Sequence, residues 1–169
     1  FTPVVFDDAP KTLAAYDSGQ CDGFTTDKSG LVSQQILLAE PDAHIILEES
    51  MSKEPLGPLT LHGDNNWGDI VMWTVNCTIQ AEEMGITSEN VDAMLDSEDP
   101  VVQNVLGVTG DLGLAMGLDA DWCYQIIKQV GNYGEIYDRT VGDNSVYKLP
   151  RGQNHLWTNG GLLYPLVLD

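Results

Sequence analysis

Hydrophobic and polar positions in the first fifty residues switch repeatedly between short apolar runs and helical spacing. The apolar runs predict strands at 3–6, 23–26 and 44–47. The stretches between them predict helices at 8–18 and 29–40. Pro10 in the first turn and Gly19 after the last turn are typical boundaries of the first helix. Strands that alternate with helices favour parallel βαβ units, so this part of the chain predicts an α/β fold class.

From position 66 the pattern becomes predominantly helical. A stripe at spacings of three and four predicts a long helix over 66–84, carried by Trp67, Ile70, Val71, Thr74, Cys77, Thr78 and Ala81. Further apolar residues on other sides of this helix are typical of packing between layers, or of a surface that needs a partner. Capping residues and glycines predict shorter helices over 99–107, 111–117 and 119–131. The chain from Gly142 is loop-like, with Tyr147, Trp157 and Tyr164 as expected anchors.

The segment between these two parts is interrupted by turn-forming residues. Pro55 and Gly57 lie in a polar setting, which favours a hinge or a crossover connection. The predicted organisation is therefore an α/β part over 1–52, a hinge over 53–63 and a helix-rich part with a loop-like tail over 64–169.

Charge is the strongest compositional signal. The formal net charge of -19 disfavours nucleic acids and anionic membranes as partners, because both would be repelled. A hydrated, salt-adapted surface is the simpler interpretation. Calcium binding at 64–69 is the alternative, although this segment lacks the bidentate glutamate of a calcium loop. No apolar stretch reaches the roughly 20 residues that cross a bilayer. The chain opens in strand-like sequence, so we expect any export signal to lie outside it.

The residue types of catalytic and metal sites are scattered. His44, His62 and His155 accompany no serine–histidine–aspartate or cysteine–histidine set, and no glycine-rich phosphate loop is present. We therefore expect neither an enzyme nor a cofactor or metal site. The cysteines form no metal-binding spacing, and Cys77 and Cys123 fall in helical patterns, where a buried free thiol is the usual state.

One carboxylate stands where ligands bind in α/β proteins. Asp27 follows the predicted strand 23–26 and precedes a predicted helix. Ligands of open α/β sheets bind at the carboxyl ends of strands, and a carboxylate there can receive an ammonium group. Helix capping is the alternative role, since aspartate is a favoured N-cap residue.

Several motifs along the chain resemble those of one transport family. They are the run from Cys21 to Gly30, Lys53 to Pro58, Gly63-Asp64 with Trp67, Asp69-Ile70-Val71, Ala81-Glu82-Glu83 with Gly85 to Ser88, Lys128 to Tyr137 and Pro150-Arg151-Gly152. In this order they resemble the periplasmic amino-acid-binding proteins of ABC importers, most closely the general L-amino-acid-binding subfamily. The resemblance spans nearly the whole chain but only the later half of the family's length.

This resemblance implies a partial periplasmic-binding-protein type II fold. The βαβ units would belong to the second lobe, with a helix-rich carboxyl-terminal region after them. It also implies a fragment of a periplasmic substrate-binding component whose partners are an L-amino acid and the membrane subunits of the transporter. Asp27 would accept the ligand's ammonium, with Thr26 beside it, and Pro55 and Gly57 would form the hinge. Cys21 would pair with a cysteine nearer the amino terminus of the family.

The resemblance also shows what the chain lacks. In the family an arginine of the first lobe binds the ligand's carboxylate, and no matching segment is present. Arg139 and Arg151 match the carboxyl-terminal region instead. Two alternatives remain: an acidic, self-associating homo-oligomer without a ligand, and a small-molecule lyase on the same scaffold.

Overall fold

The computed structural model describes residues 1–168, which divide into two compact units between Leu56 and Gly57. Eight α-helices form within these residues: α1 Ala9–Asp17, α2 Lys28–Gln35, α3 Asn65–Glu83, α4 Val91–Met94, α5 Pro100–Val105, α6 Leu112–Ala115, α7 Trp122–Val130 and α8 Tyr133–Thr140. Short 3₁₀ turns occupy Pro41–Ala43, Gly152–Asn154 and Trp157–Asn159. None of the helices described is both long and apolar enough to cross a membrane. Asp169, the end of the predicted 64–169 region, lies outside the described residues.

Unit 1 contains the two helices predicted for the amino-terminal part. The carboxylate of Asp8 accepts the backbone N–H of Lys11 at 2.8 Å and begins α1, as its sequence predicts. The predicted end of α2 at residue 40 is wrong, because the helix stops at Gln35. The side-chain amide of Gln35 donates to the carbonyls of Pro41 and His44, at 3.2 and 2.8 Å, and these bonds hold the following segment in a turn.

The three predicted strands are wrong for the residues described. Segments 3–6, 23–26 and 44–47 form no hydrogen-bonded ladder, and the one β-bridge within residues 1–168 joins Leu156 to Leu163 in unit 2. A strand exists only where its backbone groups pair with a neighbour. These segments are apolar in sequence, but no neighbouring segment among the described residues pairs with their backbone groups. Their side chains are also open to solvent, since Val5 and Ile45 are 88% and 83% exposed. The α/β fold class is therefore not confirmed.

The core of unit 2 forms where α3 packs against α7 and α8. Its fully buried side chains include Ile86, Leu106 and Ile127. The predicted stripe on α3 is buried only in the second half of the helix, from Cys77 to Ala81. The first half is more open, and Trp67 is 52% exposed. The apolar surface behind the homo-oligomer hypothesis is thus present in unit 2, while self-association itself stays a prediction.

Cys77 and Cys123 form a disulfide bond, so their prediction as free thiols is wrong. Cys77 lies on α3 and Cys123 on α7, and both side chains are fully buried. The packing of these two helices brings the Cα atoms to 6.0 Å, a separation at which cysteines can pair. Helical periodicity identifies the buried face of each helix but not which faces meet. Cys21 is a free, partly buried cysteine.

The carboxyl-terminal tail is fixed to α3 by side chains of that helix. Asn76 Oδ1 accepts the backbone N–H of Leu166 at 2.7 Å, and Gln80 Oε1 accepts that of Leu168 at 3.1 Å. Leu156 and Leu168 bury their side chains, whereas the predicted anchors Trp157 and Tyr164 are 50% and 66% exposed. The two aromatic rings pack on each other instead, with centroids 5.4 Å apart.

A largely buried ion pair joins the tail to the middle of unit 2. Arg151 donates from Nη1 and Nη2 to the two carboxylate oxygens of Glu82, at 2.6 and 3.1 Å. Its guanidinium also lies 5.5 Å from the ring centroid of Tyr133 and 5.4 Å from that of Tyr137. A planar guanidinium suits both bidentate pairing and stacking on aromatic rings. This arginine therefore has a structural role in unit 2.

Helix α8 was missed, although the sequence carries a signal for it. Asn132 and Glu135 form a capping box, in which each side chain accepts the other residue's backbone N–H. The Glu135 carboxylate also accepts the Ser88 hydroxyl at 2.6 Å, and so links the start of α8 to the loop after α3. Burial raises the pKa of Glu135, but the hydrogen bonds from Ser88 and Asn132 outweigh it, and the net pKa lies below the ordinary value.

We expect Glu135→Gln to lower the free energy of unfolding by about 1–2 kcal/mol at neutral pH, because charged hydrogen bonds are replaced by neutral ones. A lowered pKa in the folded state adds stability above the unfolded pKa of about 4.3, and this stability is lost as pH falls through the folded value. Urea unfolding from neutral to acidic pH should therefore show a weaker acid dependence in the variant. Glu89→Gln, at an exposed residue of the same loop, is the control. Equal pH profiles for Glu135→Gln and the wild type would contradict this role.

Candidate functional site

Asp27, the residue predicted to contact a ligand, lies at the amino terminus of α2. Its Oδ2 accepts the backbone N–H of Gly30 at 2.8 Å and also accepts the hydroxyl of Ser29. Its Oδ1 accepts the hydroxyl of Thr26 at 3.2 Å. Asp27 is therefore the N-cap of α2. Helix capping is the role predicted from the sequence as the alternative to ligand contact. The cap and a ligand contact are compatible, because a carboxylate can accept about four hydrogen bonds.

The charge on Asp27 is stabilised by its neighbours. The Ser29 hydroxyl, and after it the Gly30 N–H, hold the pKa of this carboxyl below its ordinary value, against a smaller opposing effect of burial. The carboxyl group is thus ionised at neutral pH. Among residues 1–168 the Asp27 carboxylate forms no ion pair, and its partners there are hydrogen-bond donors. A carboxylate in this state can attract a cationic group.

An open depression of about 360 Å³ lies next to this carboxylate on unit 1. Its walls come from the segment before α1 with the start of that helix, the segment before α2 and one face of α2. They consist of Phe6, Asp7, Asp8, Ala9, Thr12, Phe24, Thr25, Thr26, Gly30 and Gln34. Asp27 is not itself a lining residue, but its hydrogen-bond partners Thr26 and Gly30 are. The depression combines two aromatic rings with hydroxyl and carboxylate groups, a mixture typical of small-molecule sites.

The charges around the depression are mainly negative. Asp7 and Asp8 line it, and Lys11 pairs with them at 3.5 and 3.1 Å. These two pairs are solvent-exposed and hence weak. With Asp27 included, the carboxylates outnumber this single cation. The site favours a positively charged group over an anion.

A second open depression, of about 280 Å³, lies on unit 2 beside α3. Its lining residues carry no formal charge: Pro58, Thr60, Gly68, Val71, Met72, Val75 and Asn76. Such a surface offers no charged side chain that could pair with an ammonium or a carboxylate. We therefore take the depression on unit 1 as the candidate site.

The remaining residues singled out by the sequence lie elsewhere. Pro55 and Gly57 flank the boundary between the two units and are exposed. The Nδ1 atom of His44 lies 2.8 Å from the hydroxyl of Tyr16. Asp64, from the calcium alternative, caps α3 by accepting the N–H of Trp67 at 3.1 Å. Among residues 1–168 no cluster of His, Cys, Asp or Glu side chains is arranged to hold a metal ion.

Sequence reasoning missed Ser29 as a partner of Asp27. The available signal is the spacing Asp27-x-Ser29-Gly30, because an N-cap carboxylate faces the N–H groups of the second and third helical residues. A serine as the second helical residue, the place of Ser29, also brings its hydroxyl within reach. Asp8 was likewise missed as a residue of the depression.

The chain is similar in sequence to curated amino-acid-binding proteins. The general L-amino acid-binding periplasmic protein AapJ of Rhizobium johnstonii is 51% identical over 166 residues, which cover 97% of this chain and 49% of AapJ. The glutamate/glutamine/aspartate/asparagine-binding protein BztA of Rhodobacter capsulatus is 43% identical over 165 residues, again 49% of its length. No protein-family model matches.

A solved structure gives the same relationship. The ABC transporter/periplasmic binding protein from Brucella ovis, with glutathione bound, matches with a TM-score of 0.92 and 47% sequence identity, covering 99% of this chain and 53% of that chain. The chain thus spans about half the length of the curated relatives it matches. The predicted resemblance to periplasmic amino-acid-binding proteins is confirmed, and the chain has the fold of part of a periplasmic binding protein.

Proposed function

We propose that this relative of the periplasmic amino-acid-binding proteins supplies one side of the ligand cleft in the substrate-binding component of an amino-acid ABC transporter. Asp27 receives the α-ammonium of an L-amino acid, and Thr26 contributes its hydroxyl at the same place. The observation that carries the proposal is the Asp27 carboxylate, which forms no ion pair among residues 1–168 and adjoins a depression that Thr26 lines. A charge-assisted hydrogen bond to an ammonium contributes on the order of 1.5–3 kcal/mol.

The ligand's α-carboxylate needs a cation that the depression does not offer. Lys11, the cation at its edge, already faces Asp7 and Asp8. Arg151 pairs with Glu82 in unit 2. We therefore place the carboxylate-binding residues in the part of the relatives' length that this chain does not match. Each half of such a cleft depends on a ligand that the other half orients, so unit 1 alone should bind weakly.

The segment containing Pro55 and Gly57 is proposed as the hinge of this binding component. It lies where the two compact units divide, and both residues are exposed. Hinges are short connecting segments whose backbone angles absorb the motion of closure. Closure around an amino acid would exclude water from the Asp27 carboxylate and strengthen its bond to the ammonium.

A periplasmic location is proposed from two observations. The relative AapJ is named as a periplasmic protein. The disulfide between Cys77 and Cys123 favours an oxidising compartment, since such bonds persist outside the cytosol. The membrane subunits of an ABC transporter are then the expected protein partners, and a binding role is favoured over a catalytic one.

Calorimetry on the full-length product of the reading frame tests this function. We expect at least one standard L-amino acid to bind with micromolar or tighter affinity. Its N-acetyl derivative should not bind measurably, because acetylation removes the ammonium charge and adds bulk at the nitrogen. The methyl ester of the same amino acid separates the contribution of the carboxylate. The proposed function is wrong if no amino acid binds, or if the N-acetyl derivative binds as tightly as the parent compound.

A further inference from the structure

We propose that Ser29 is a positioning residue for the ligand's ammonium group. Its hydroxyl fixes one oxygen of the Asp27 carboxylate, and the other oxygen is thereby presented to the ligand. This inference rests on the proposed function, and it extends that function to a residue that need not touch the ligand.

The two oxygens of Asp27 have different surroundings. Oδ2 accepts both the Ser29 hydroxyl and the Gly30 N–H, the latter at 2.8 Å. Oδ1 accepts only the Thr26 hydroxyl among the described residues, at a longer 3.2 Å. Two donors on one oxygen restrict rotation of the carboxylate group. Oδ1 keeps acceptor capacity, so it is the oxygen that we assign to the ammonium.

The contribution of Ser29 can be separated from helix capping. An N-cap side chain needs only one backbone N–H from the second or third helical residue, and Gly30 provides it. The Ser29 hydroxyl is therefore additional to the cap. It is exposed and lies in the first turn of α2, so removing it should leave the helix intact.

A binding experiment on the full-length product, with the L-amino acid that binds the wild type most tightly, tests this role. We expect Ser29→Ala to weaken binding about tenfold, because the variant loses the hydrogen bond that orients the Asp27 carboxylate. The melting temperature should stay nearly unchanged. Ser29→Thr keeps the hydroxyl and should bind within about twofold of the wild type. Ser33→Ala is the matched control, because the Ser33 hydroxyl donates to the Gly30 carbonyl and not to Asp27.

The outcomes distinguish this inference from the proposed function. Wild-type affinity in Ser29→Ala would overturn the role of Ser29 while the proposed function stands. An equal loss in Ser29→Thr or Ser33→Ala would also overturn it, because the effect would then belong to the helix and not to the hydroxyl at Asp27. If the wild type binds no amino acid, both the inference and the proposed function are wrong.

Discussion

Replacing Cys77 and Cys123 together by alanine will lower the free energy of unfolding by about 4 kcal/mol. The bond closes a loop with a sequence separation of 46 residues, and closing such a loop restricts the unfolded chain by an amount that grows slowly with loop length. Both cysteines lie in the core between α3 and α7, so alanine leaves no polar group unsatisfied there. Stabilities of small domains are about 5–15 kcal/mol, and a loss of this size is a large part of that range.

Urea unfolding of the oxidised wild type, the reduced wild type and the double variant measures this effect. Reduction and the double substitution should each shift the midpoint to lower urea concentration. Cys21→Ala is the control, because Cys21 is a free cysteine, and it should change the midpoint little. Thiol titration of the unreduced, denatured 169-residue chain should count one free thiol, that of Cys21. A midpoint that reduction leaves unchanged, or a count of three, would contradict the disulfide.

Helices with clear boundary residues could be predicted from the sequence. Asp8 and Pro10 begin α1, and Asp99 begins α5 by accepting the N–H of Val101 at 2.9 Å. Gly131 ends α7 with a positive φ of 79°, where a Cβ would come within 2.8 Å of the Glu135 carboxylate. These signals are local, since each depends on residues within one turn of the helix.

Features that depend on distant partners could not be predicted in the same way. The apolar run 3–6 has the composition of a strand, but a strand requires a neighbour that no local pattern supplies. Likewise, periodicity places Cys77 and Cys123 on buried faces, while only the packing of α3 on α7 brings them together. The tail gives a third case, because Leu168 is buried through contacts with α3 that its own sequence does not indicate.

The candidate site was predicted in part. Ligand contact and helix capping are both predicted from the position of Asp27 directly before a helix. The structure shows the capping role, because the backbone N–H of Gly30 donates to the Asp27 carboxylate. Its ligand contact, and that of Thr26, stay predictions. The depression itself depends on how α1 and α2 pack in unit 1, which explains why Asp7 and Asp8 were not recognised as its residues.

Replacing Asp27 by asparagine will weaken amino-acid binding about a hundredfold while leaving α2 largely intact. Asparagine is as good an N-cap residue as aspartate, because its side-chain oxygen can accept the Gly30 N–H. It lacks the negative charge, and losing one partner of a charge pair that closure around the ligand has buried costs about 2–5 kcal/mol or more. Asp27→Ala should weaken binding similarly and should also lose about 1 kcal/mol of stability through the missing cap.

A matched control separates the charge at the site from the overall charge of the protein. Asp99 is also an N-cap aspartate, but it lies in unit 2 and outside the lining of the candidate depression. Asp99→Asn makes the same chemical change and alters the net charge equally. We expect this variant to bind amino acids with wild-type affinity. A weakening shared by both variants would mean that the overall charge, and not the site, controls binding.

The most direct test is titration calorimetry of the full-length Asp27→Asn variant with the amino acid that the wild type binds best. We expect a loss of affinity of about two orders of magnitude with little change in melting temperature. Wild-type affinity in this variant would show that the carboxylate only caps a helix, and would contradict the assignment of Asp27 to the ligand's ammonium.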